Sequence, residues 1–257
     1  KSPSDFLGYE LGTQFTRHHQ VIDYVNHVAE NSDFAQTTPY GKTNEDRTLQ
    51  LVYLSAPENL AQLETMRKDH LRSIGYAEGA KETTKEFSIV WLSYNVHGNE
   101  STSTEAALKT LHTLVTEKQD WLENLIVIMD PCINPDGRDR YVNWYNQVKS
   151  TPFDSSPLAN EHFEDWPGGR YNHYYFDLNR DWAWLSQKES QQRLPNYLAW
   201  MPQIHVDFHE QGVDSPYYFA PAVEPYHEVI TDFQRDFQAT IAKNHSRYFD
   251  KEGWLYF

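Results

Sequence analysis

A strand–helix–strand pattern in the middle of the chain restricts the fold more than any other feature of this 257-residue sequence. Phe87–Tyr94 reads FSIVWLSY and is rich in residues that favour strands. Thr102 and Glu105 have the spacing of a helix-capping box, and apolar residues recur at helical intervals after them. Asn124–Met129 is then a continuous apolar run, typical of a strand buried on both faces. Two strands joined in this way run parallel with a right-handed crossover, so the pattern predicts an α/β fold.

The rest of the chain continues this alternation of strands and helices. Residues 143–175 are aromatic and weakly periodic, and we expect an ordered loop there that walls a pocket. The other predicted elements are helices over Phe15–Glu30 and Glu224–Tyr248 and strands over Thr48–Ser55, Gln203–His209 and Tyr217–Ala220. We therefore expect one α/β domain over residues 1–257, with a mixed, mostly parallel sheet flanked by helices.

Charge and cysteine content exclude several classes of protein. Lys and Arg number 22 against 37 Asp and Glu, and the net charge of −15 disfavours nucleic acids and anionic membranes as partners. Cys132 is the only cysteine, which rules out an internal disulfide framework and a cysteine-rich zinc finger. No apolar run approaches the ~20 residues of a membrane span. The chain begins at Lys1 without a signal peptide, so we expect a trimmed chain or a mature, processed protein.

The turn after the first central strand carries the first candidate metal ligands, His97 and Glu100 in the sequence HGNE. An imidazole and a carboxylate three residues apart on a tight turn can reach one cation, although such pairs also arise by chance. The turn follows the carboxyl end of a strand, where open α/β sheets place their ligands.

A third ligand is expected from the segment HVDFH, in which His205, Asp207 and His209 share one face of a strand. His209 lies at the carboxyl end and would be level with His97 if the strands are parallel. Two histidines and one glutamate leave zinc a fourth position for water, as in a catalytic site. The segment also allows two other interpretations: partly buried, hydrogen-bonded histidines, or a separate site made of His205, Asp207 and His209 alone.

Two further polar segments, DLNR and NPDG, differ in what their composition indicates. An aspartate near a metal-bound imidazole can accept a hydrogen bond from the second N–H of the ring. In DLNR, Asp177 is the candidate for this role. Asn179 and Arg180 form a donor pair suited to a carboxylate, although a surface salt bridge would use the same residues. By composition, the segment NPDG at 134–137 indicates only a turn.

Taken in order, HGNE, NPDG, DLNRDW and VDFHE resemble the zinc carboxypeptidases of the M14 type. The resemblance spans most of the chain and includes the YGKT segment at 40–43, followed by Asp46 and Arg47. It implies the zinc-carboxypeptidase fold and a zinc-activated water that hydrolyses the C-terminal peptide bond of a peptide. The implied ligands are His97, Glu100 and His209.

The resemblance also implies roles for residues around the ion. Asp177 matches the carboxylate behind the first histidine, and Asn179 with Arg180 matches the pair that binds the substrate's terminal carboxylate. The family places an arginine near the scissile carbonyl to stabilise the oxyanion. Arg140 is our candidate, Arg138 is the alternative, and Arg170 stands behind them.

One departure from the family concerns the general base. The family's base and its substrate-binding tyrosine lie well after the third ligand, so we expect them beyond Phe257, together with the C-terminal strand or strands of the sheet. Glu210 is not at the base's position. We therefore expect this chain to bind zinc but to hydrolyse peptides poorly.

Two alternatives to a peptidase stay open. One is a zinc deacylase or amidohydrolase of the same fold, and the other is a zinc-containing module that binds peptide or glycan ends without cutting them. The resemblance also predicts a secreted or periplasmic location. The oligomeric state cannot be inferred from the sequence.

Overall fold

The structure is a computed structural model that describes residues 1–256; Phe257, the last residue of the predicted domain, lies outside the described residues. The chain divides into two compact units, Lys1–Glu210 and a second unit from Gln211 onward. The interpretation of residues 1–257 as one catalytic domain stays a prediction.

The first unit is a five-stranded sheet with helices on both faces. Its strands are β1 (Ala35–Lys42), β2 (Thr48–Leu54), β3 (Ser88–Tyr94), β4 (Leu125–Asp130) and β5 (Ile204–Phe208). Its helices are α1 (Pro3–Leu7), α2 (His18–Glu30), α3 (Pro57–Leu60), α4 (Leu63–Ser73), α5 (Thr102–Thr116), α6 (Pro135–Val148) and α7 (Lys188–Trp200).

The strand order β1-β2-β4-β3-β5 confirms the predicted mixed α/β sheet flanked by helices. Two of its four strand pairs are antiparallel, so parallel pairs are not the majority that the sequence analysis predicts. The central strand β3 runs parallel to both β4 and β5, whereas β2 is antiparallel to β1 and β4. In the parallel part, Ser93 lies between Asp130 of β4 and Asp207 of β5. The carboxyl ends of these three strands therefore meet at one edge of the sheet and bring polar side chains together there.

Both faces of the sheet are covered by apolar side chains. Alternate residues of β3 point to opposite faces, so Leu92 and Tyr94 join the core beneath α2 and α5. Ile89 and Trp91 join the core that includes Trp200 at the end of α7. This two-sided burial explains why β4 reads as an uninterrupted apolar run.

Two local predictions differ from the structure. Glu105 does not cap α5; its carboxylate accepts hydrogen bonds from Thr16 and Arg138 in the interior. Tertiary partners have replaced the local cap that the spacing predicts. The predicted loop over 143–175 begins later, because α6 continues to Val148. The aromatic residues of this first stretch lie on a helix.

The second unit contains α8 (Asp232–Glu252), which begins later than predicted and ends at Gly253. A capping box between Thr231 and Gln234 fixes its start. The predicted strand Tyr217–Ala220 is not formed in the described residues; Tyr217 makes one isolated bridge with Tyr256. Across residues 1–256, no helix is both long and apolar enough to cross a membrane.

Candidate metal centre

The turn after β3 is held in place by Asn95. This residue has a left-handed backbone (φ 59°), and its side-chain amide donates to the carbonyls of His97, Gly98 and Glu100 at 2.7, 3.3 and 3.0 Å. Such a side chain replaces backbone partners that a tight turn lacks. The turn therefore presents the side chains of His97 and Glu100 to the same side.

Glycine is required at position 98 by close packing. A Cβ atom there would lie 2.2 Å from the carbonyl carbon of Gly137, which is far inside van der Waals contact. Gly137 belongs to the NPDG segment, where the Asn134 side chain caps α6 by accepting from the Gly137 N–H at 3.0 Å. NPDG is thus a helix start against which the HGNE turn packs.

The parallel pairing of β5 with β3 brings His209 to the same edge as this turn. One carboxylate oxygen of Glu100 lies 2.6 Å from Nδ1 of His97, and the other lies 3.1 Å from Nδ1 of His209. One ligand atom from each of these three residues lies within 4.8 Å of the other two. The three predicted ligands therefore converge from two separate parts of the chain.

The charges at this cluster are strongly coupled. Burial alone raises the pKa of Glu100, but hydrogen bonds from His209, His97 and the Glu210 N–H outweigh it and lower the pKa to about 2. Hydrogen bonds to Asp207 and Glu100 raise the pKa of His209 to about 10. These hydrogen bonds favour the charged form of His209, and a metal ion that binds through Nδ1 requires the loss of the proton there.

Asp177 lies behind the first histidine, with Oδ1 3.1 Å from Nε2 of His97. The same oxygen accepts from the Asn179 N–H at 2.9 Å, in a short turn of 3₁₀ helix over Leu178–Arg180. Arg180 at the end of that turn is exposed, and one guanidinium nitrogen donates to the Asn179 carbonyl at 3.1 Å. The DLNR segment thus places Asp177 against the buried His97 and Arg180 at the surface.

The three candidate arginines have different surroundings. Arg138 is fully buried and donates to Thr16, Asn95, Ser101 and Glu105. Arg140 donates to three carbonyls of the loop at Gly168, Tyr171 and Asn172. Both side chains therefore brace the protein itself, which argues against Arg140 and its alternative Arg138 as oxyanion donors.

Arg170 contacts the ligand cluster directly. Its guanidinium lies 3.5 Å from Glu100 Oε1 and 3.3 Å from Asp177 Oδ2, and its side chain is 38% exposed. The backbone of Arg170 also accepts from the Gly98 N–H at 3.4 Å, which ties its loop to the HGNE turn. Sequence analysis ranked this arginine last, although its position seven residues before Asp177 was the available signal.

The separate site imagined for the HVDFH segment is not supported. His205 Nε2 pairs with Ser93 Oγ at 2.9 Å, and its ring packs against Trp182 and Tyr197. Among residues 1–256, His205, Asp207 and His209 do not form a group of converging ligand atoms. His205 is therefore a hydrogen-bonded histidine, as one interpretation predicted, but it is exposed rather than partly buried.

A second acidic group, made of Glu45, Asp136 and His173, also brings ligand atoms together. Arg47 already pairs with both of its carboxylates, with Nη1 2.9 Å from Asp136 and also bonded to Glu45. These contacts of Arg47 fasten the connection between β1 and β2 to α6.

The first cluster fits a zinc ion by the chemistry of its donors. Two imidazole nitrogens and one carboxylate oxygen form the ligand set of a catalytic zinc site, and zinc bonds of ~2.0–2.2 Å need donors this close together. In both histidines, Nδ1 faces Glu100 while Nε2 faces a different carboxylate. The two rings are thus oriented toward a common centre at Glu100.

Comparison with known proteins gives a family and a fold for this chain. The family model described as zinc carboxypeptidase matches residues 21–199. No curated protein matches the chain. Among solved structures, a metallo-carboxypeptidase from Burkholderia cenocepacia is 15% identical with a TM-score of 0.58, over 88% of this chain and 48% of that one. The carboxypeptidase A from Helicoverpa armigera is 14% identical with a TM-score of 0.60, over 99% of this chain and 62% of that one.

These structural likenesses show a shared fold. The chain spans about half the length of the bacterial structure that it matches.

Proposed function

The chain belongs to the zinc carboxypeptidase family, and from this we propose that it is the zinc-binding part of a metallocarboxypeptidase that removes C-terminal residues from peptides. The observation that supports the proposal is the convergence of His97, Glu100 and His209 on one point. Hydrolysis is proposed for the whole protein, since this chain covers only part of the length of its structural relatives.

We assign His97, Glu100 and His209 as the zinc ligands. A zinc ion bound there supplies Lewis acidity and a water molecule whose pKa falls to about 7. Asp177 accepts the Nε2 proton of His97 and so keeps the Nδ1 lone pair free for the ion. Glu210 has no assigned role in proton transfer, because its carboxylate accepts from the Thr102 N–H at the start of α5.

Arg170 and Arg180 take the two substrate-facing roles. Arg170 is partly exposed beside Glu100, so it can donate to the oxygen that becomes negative when the peptide carbonyl is attacked. Arg180 is exposed at the end of the DLNR turn and carries donors in the fork geometry that grips a carboxylate. With Asn179 it would select a free chain end over a bond within a chain.

Zinc binding can be tested on this chain alone. We expect the purified, metal-depleted chain to bind one zinc ion per molecule, measured by elemental analysis after dialysis, and His209→Ala to lose that binding. His205→Ala is the matched control, because His205 lies on the same strand face but pairs with Ser93. Equal zinc binding by wild type and His209→Ala would contradict the ligand assignment.

The peptidase reaction is tested on the full-length protein. We expect cleavage of peptides with a free C-terminus and not of their C-terminal amides, with Arg180→Ala raising KM for the free acids. Arg170→Ala should lower kcat by about 10²–10³-fold, the usual cost of removing an oxyanion donor. Arg247→Ala, an exposed arginine of the second unit, is the control. Faster cleavage of amidated or acylated substrates would favour the deacylase alternative.

Secretion or a periplasmic location follows from the resemblance alone and stays a prediction.

A further inference from the structure

Asp207 occupies a defined place beside the third proposed ligand. Its Oδ2 lies 3.0 Å from Nε2 of His209, while Nδ1 of the same ring lies 3.1 Å from Glu100. These nitrogens are on different edges of the imidazole. Asp207 therefore contacts the edge that faces away from Glu100 and from the point where the ligands converge.

The other histidine has the same arrangement. His97 directs Nδ1 to Glu100 at 2.6 Å and Nε2 to Asp177 at 3.1 Å. The two imidazoles thus share one central carboxylate through Nδ1, and each has its own aspartate at Nε2. Sequence analysis gave such a partner only to His97.

Asp207 is placed beside His209 by the strand that carries it. It lies on β5 in register with Ser93, so its backbone is fixed by the central strand. The next residue, Phe208, stacks on Tyr94 with ring centroids 4.2 Å apart and an interplanar angle of 4°. The Asp207 side chain is 27% exposed, and its other carboxylate oxygen is buried without a hydrogen-bond partner. Among the described residues, His209 is therefore the hydrogen-bond partner of this carboxylate.

We propose that Asp207 is a positioning residue for the metal centre. It accepts the Nε2 proton of His209, which fixes the neutral tautomer and leaves the Nδ1 lone pair for the ion. The zinc site is then held by two aspartate–histidine pairs, Asp177 with His97 and Asp207 with His209. This inference rests on the proposed function, because it requires that His209 bind zinc.

Charge supports the same role. Glu100, Asp177 and Asp207 supply three negative charges around the centre, and Arg170 supplies one positive charge. A divalent cation makes this group neutral. Removing the charge of Asp207 leaves a net positive group in a partly buried place and lowers the affinity for a cation.

The test compares zinc affinity, measured by competition with a chromophoric chelator, among wild type, Asp207→Ala, Asp207→Asn and Asp130→Asn. Asp130 is the matched control because it lies in the same row of the sheet but pairs with Tyr40. We expect Asp207→Ala to bind zinc about 10–100-fold more weakly than wild type. Asp207→Asn should lose about 3–10-fold, since its amide oxygen can still accept the proton but carries no charge. Asp130→Asn should stay within about twofold of wild type.

A second readout separates positioning from a purely structural role. In the zinc-loaded wild type, nitrogen-edited NMR should show a slowly exchanging proton on Nε2 of His209. Asp207→Ala should lose that protection, whereas the Nε2 proton of His97 should keep it.

Each result has a definite meaning. Wild-type affinity in Asp207→Asn, together with an unchanged Nε2 proton in Asp207→Ala, overturns the inference and leaves the proposed function intact. If Asp207→Ala does not fold, the affinity of Asp207→Asn decides. Loss of zinc as complete as in His209→Ala would instead make Asp207 a ligand and also overturn the inference. Absence of zinc binding by wild type would refute the proposed function itself.

Discussion

The buried ion pair between Arg138 and Glu105 gives a quantitative test of whether Arg138 supports the fold or belongs to the proposed metal centre. Their side chains are 0% and 5% exposed, and the Nη2–Oε1 distance is 2.6 Å. The same carboxylate accepts from the backbone N–H and the hydroxyl of Thr16 at 2.6 and 2.7 Å. Glu105→Ala therefore leaves a buried guanidinium without its counter-charge and the Thr16 N–H without an acceptor, while the Thr16 hydroxyl keeps the Tyr9 hydroxyl as a partner.

Removing one partner of a buried pair costs about 3–5 kcal/mol, and the loss of two further hydrogen bonds places the expected value in the upper part of that range. The folded-to-unfolded ratio should then fall by about three to three and a half orders of magnitude. The change is measured by urea denaturation with a chelator present, so that metal binding does not contribute. Glu105→Gln should lose less, because its amide oxygen still accepts.

Glu117→Ala is the control, since Glu117 is exposed at the end of the same helix and should change the free energy of unfolding by less than about 0.5 kcal/mol. The folded fraction of Glu105→Ala should bind zinc as wild type does, because Arg138 supports the fold rather than the ligands. A loss below about 1 kcal/mol would refute the reasoning from burial, and a weakened zinc affinity would return Arg138 to the metal centre.

Three further outcomes follow from buried groups and close packing. Burial raises the pKa of Asp130 to about 7. Because the unfolded chain releases this proton near the ordinary carboxyl pKa, the free energy of unfolding should fall as pH rises from about 4 to 7, by up to about 1.4 kcal/mol per pH unit. Asp130→Asn should flatten that slope in urea titrations. Burial lowers the pKa of His18 to about 4. The contribution of its neutral imidazole to the free energy of unfolding should be complete above pH 6.5 and should decline as pH falls toward 4. If His18→Gln lacks this decline, the pH dependence is assigned to His18. Gly98→Ala should lower both thermal stability and zinc affinity, because the added Cβ would meet the backbone of Gly137 at 2.2 Å. An unchanged midpoint of thermal unfolding would contradict that contact.

Much of the centre could be predicted from the sequence because its signals are local. His97 and Glu100 lie on one turn, and the alternation of a strand places Asp207 and His209 on one face. The apolar run of β4 likewise shows its two-sided burial directly. Such features depend on residues a few positions apart, for which chain geometry leaves few choices.

The tertiary structure decided which groups meet over long separations. The resemblance suggested Arg140 as the oxyanion donor, but the path of the loop brings Arg170 to Glu100 and leaves Arg140 bonded to loop carbonyls. Glu105 has the spacing of a cap, yet packing against α5 gives it Arg138 and Thr16 instead. Side-chain partners of this kind are chosen by burial, because a charge removed from water needs an opposite charge or a donor wherever the fold provides one. That choice depends on how distant segments pack, which local sequence does not encode.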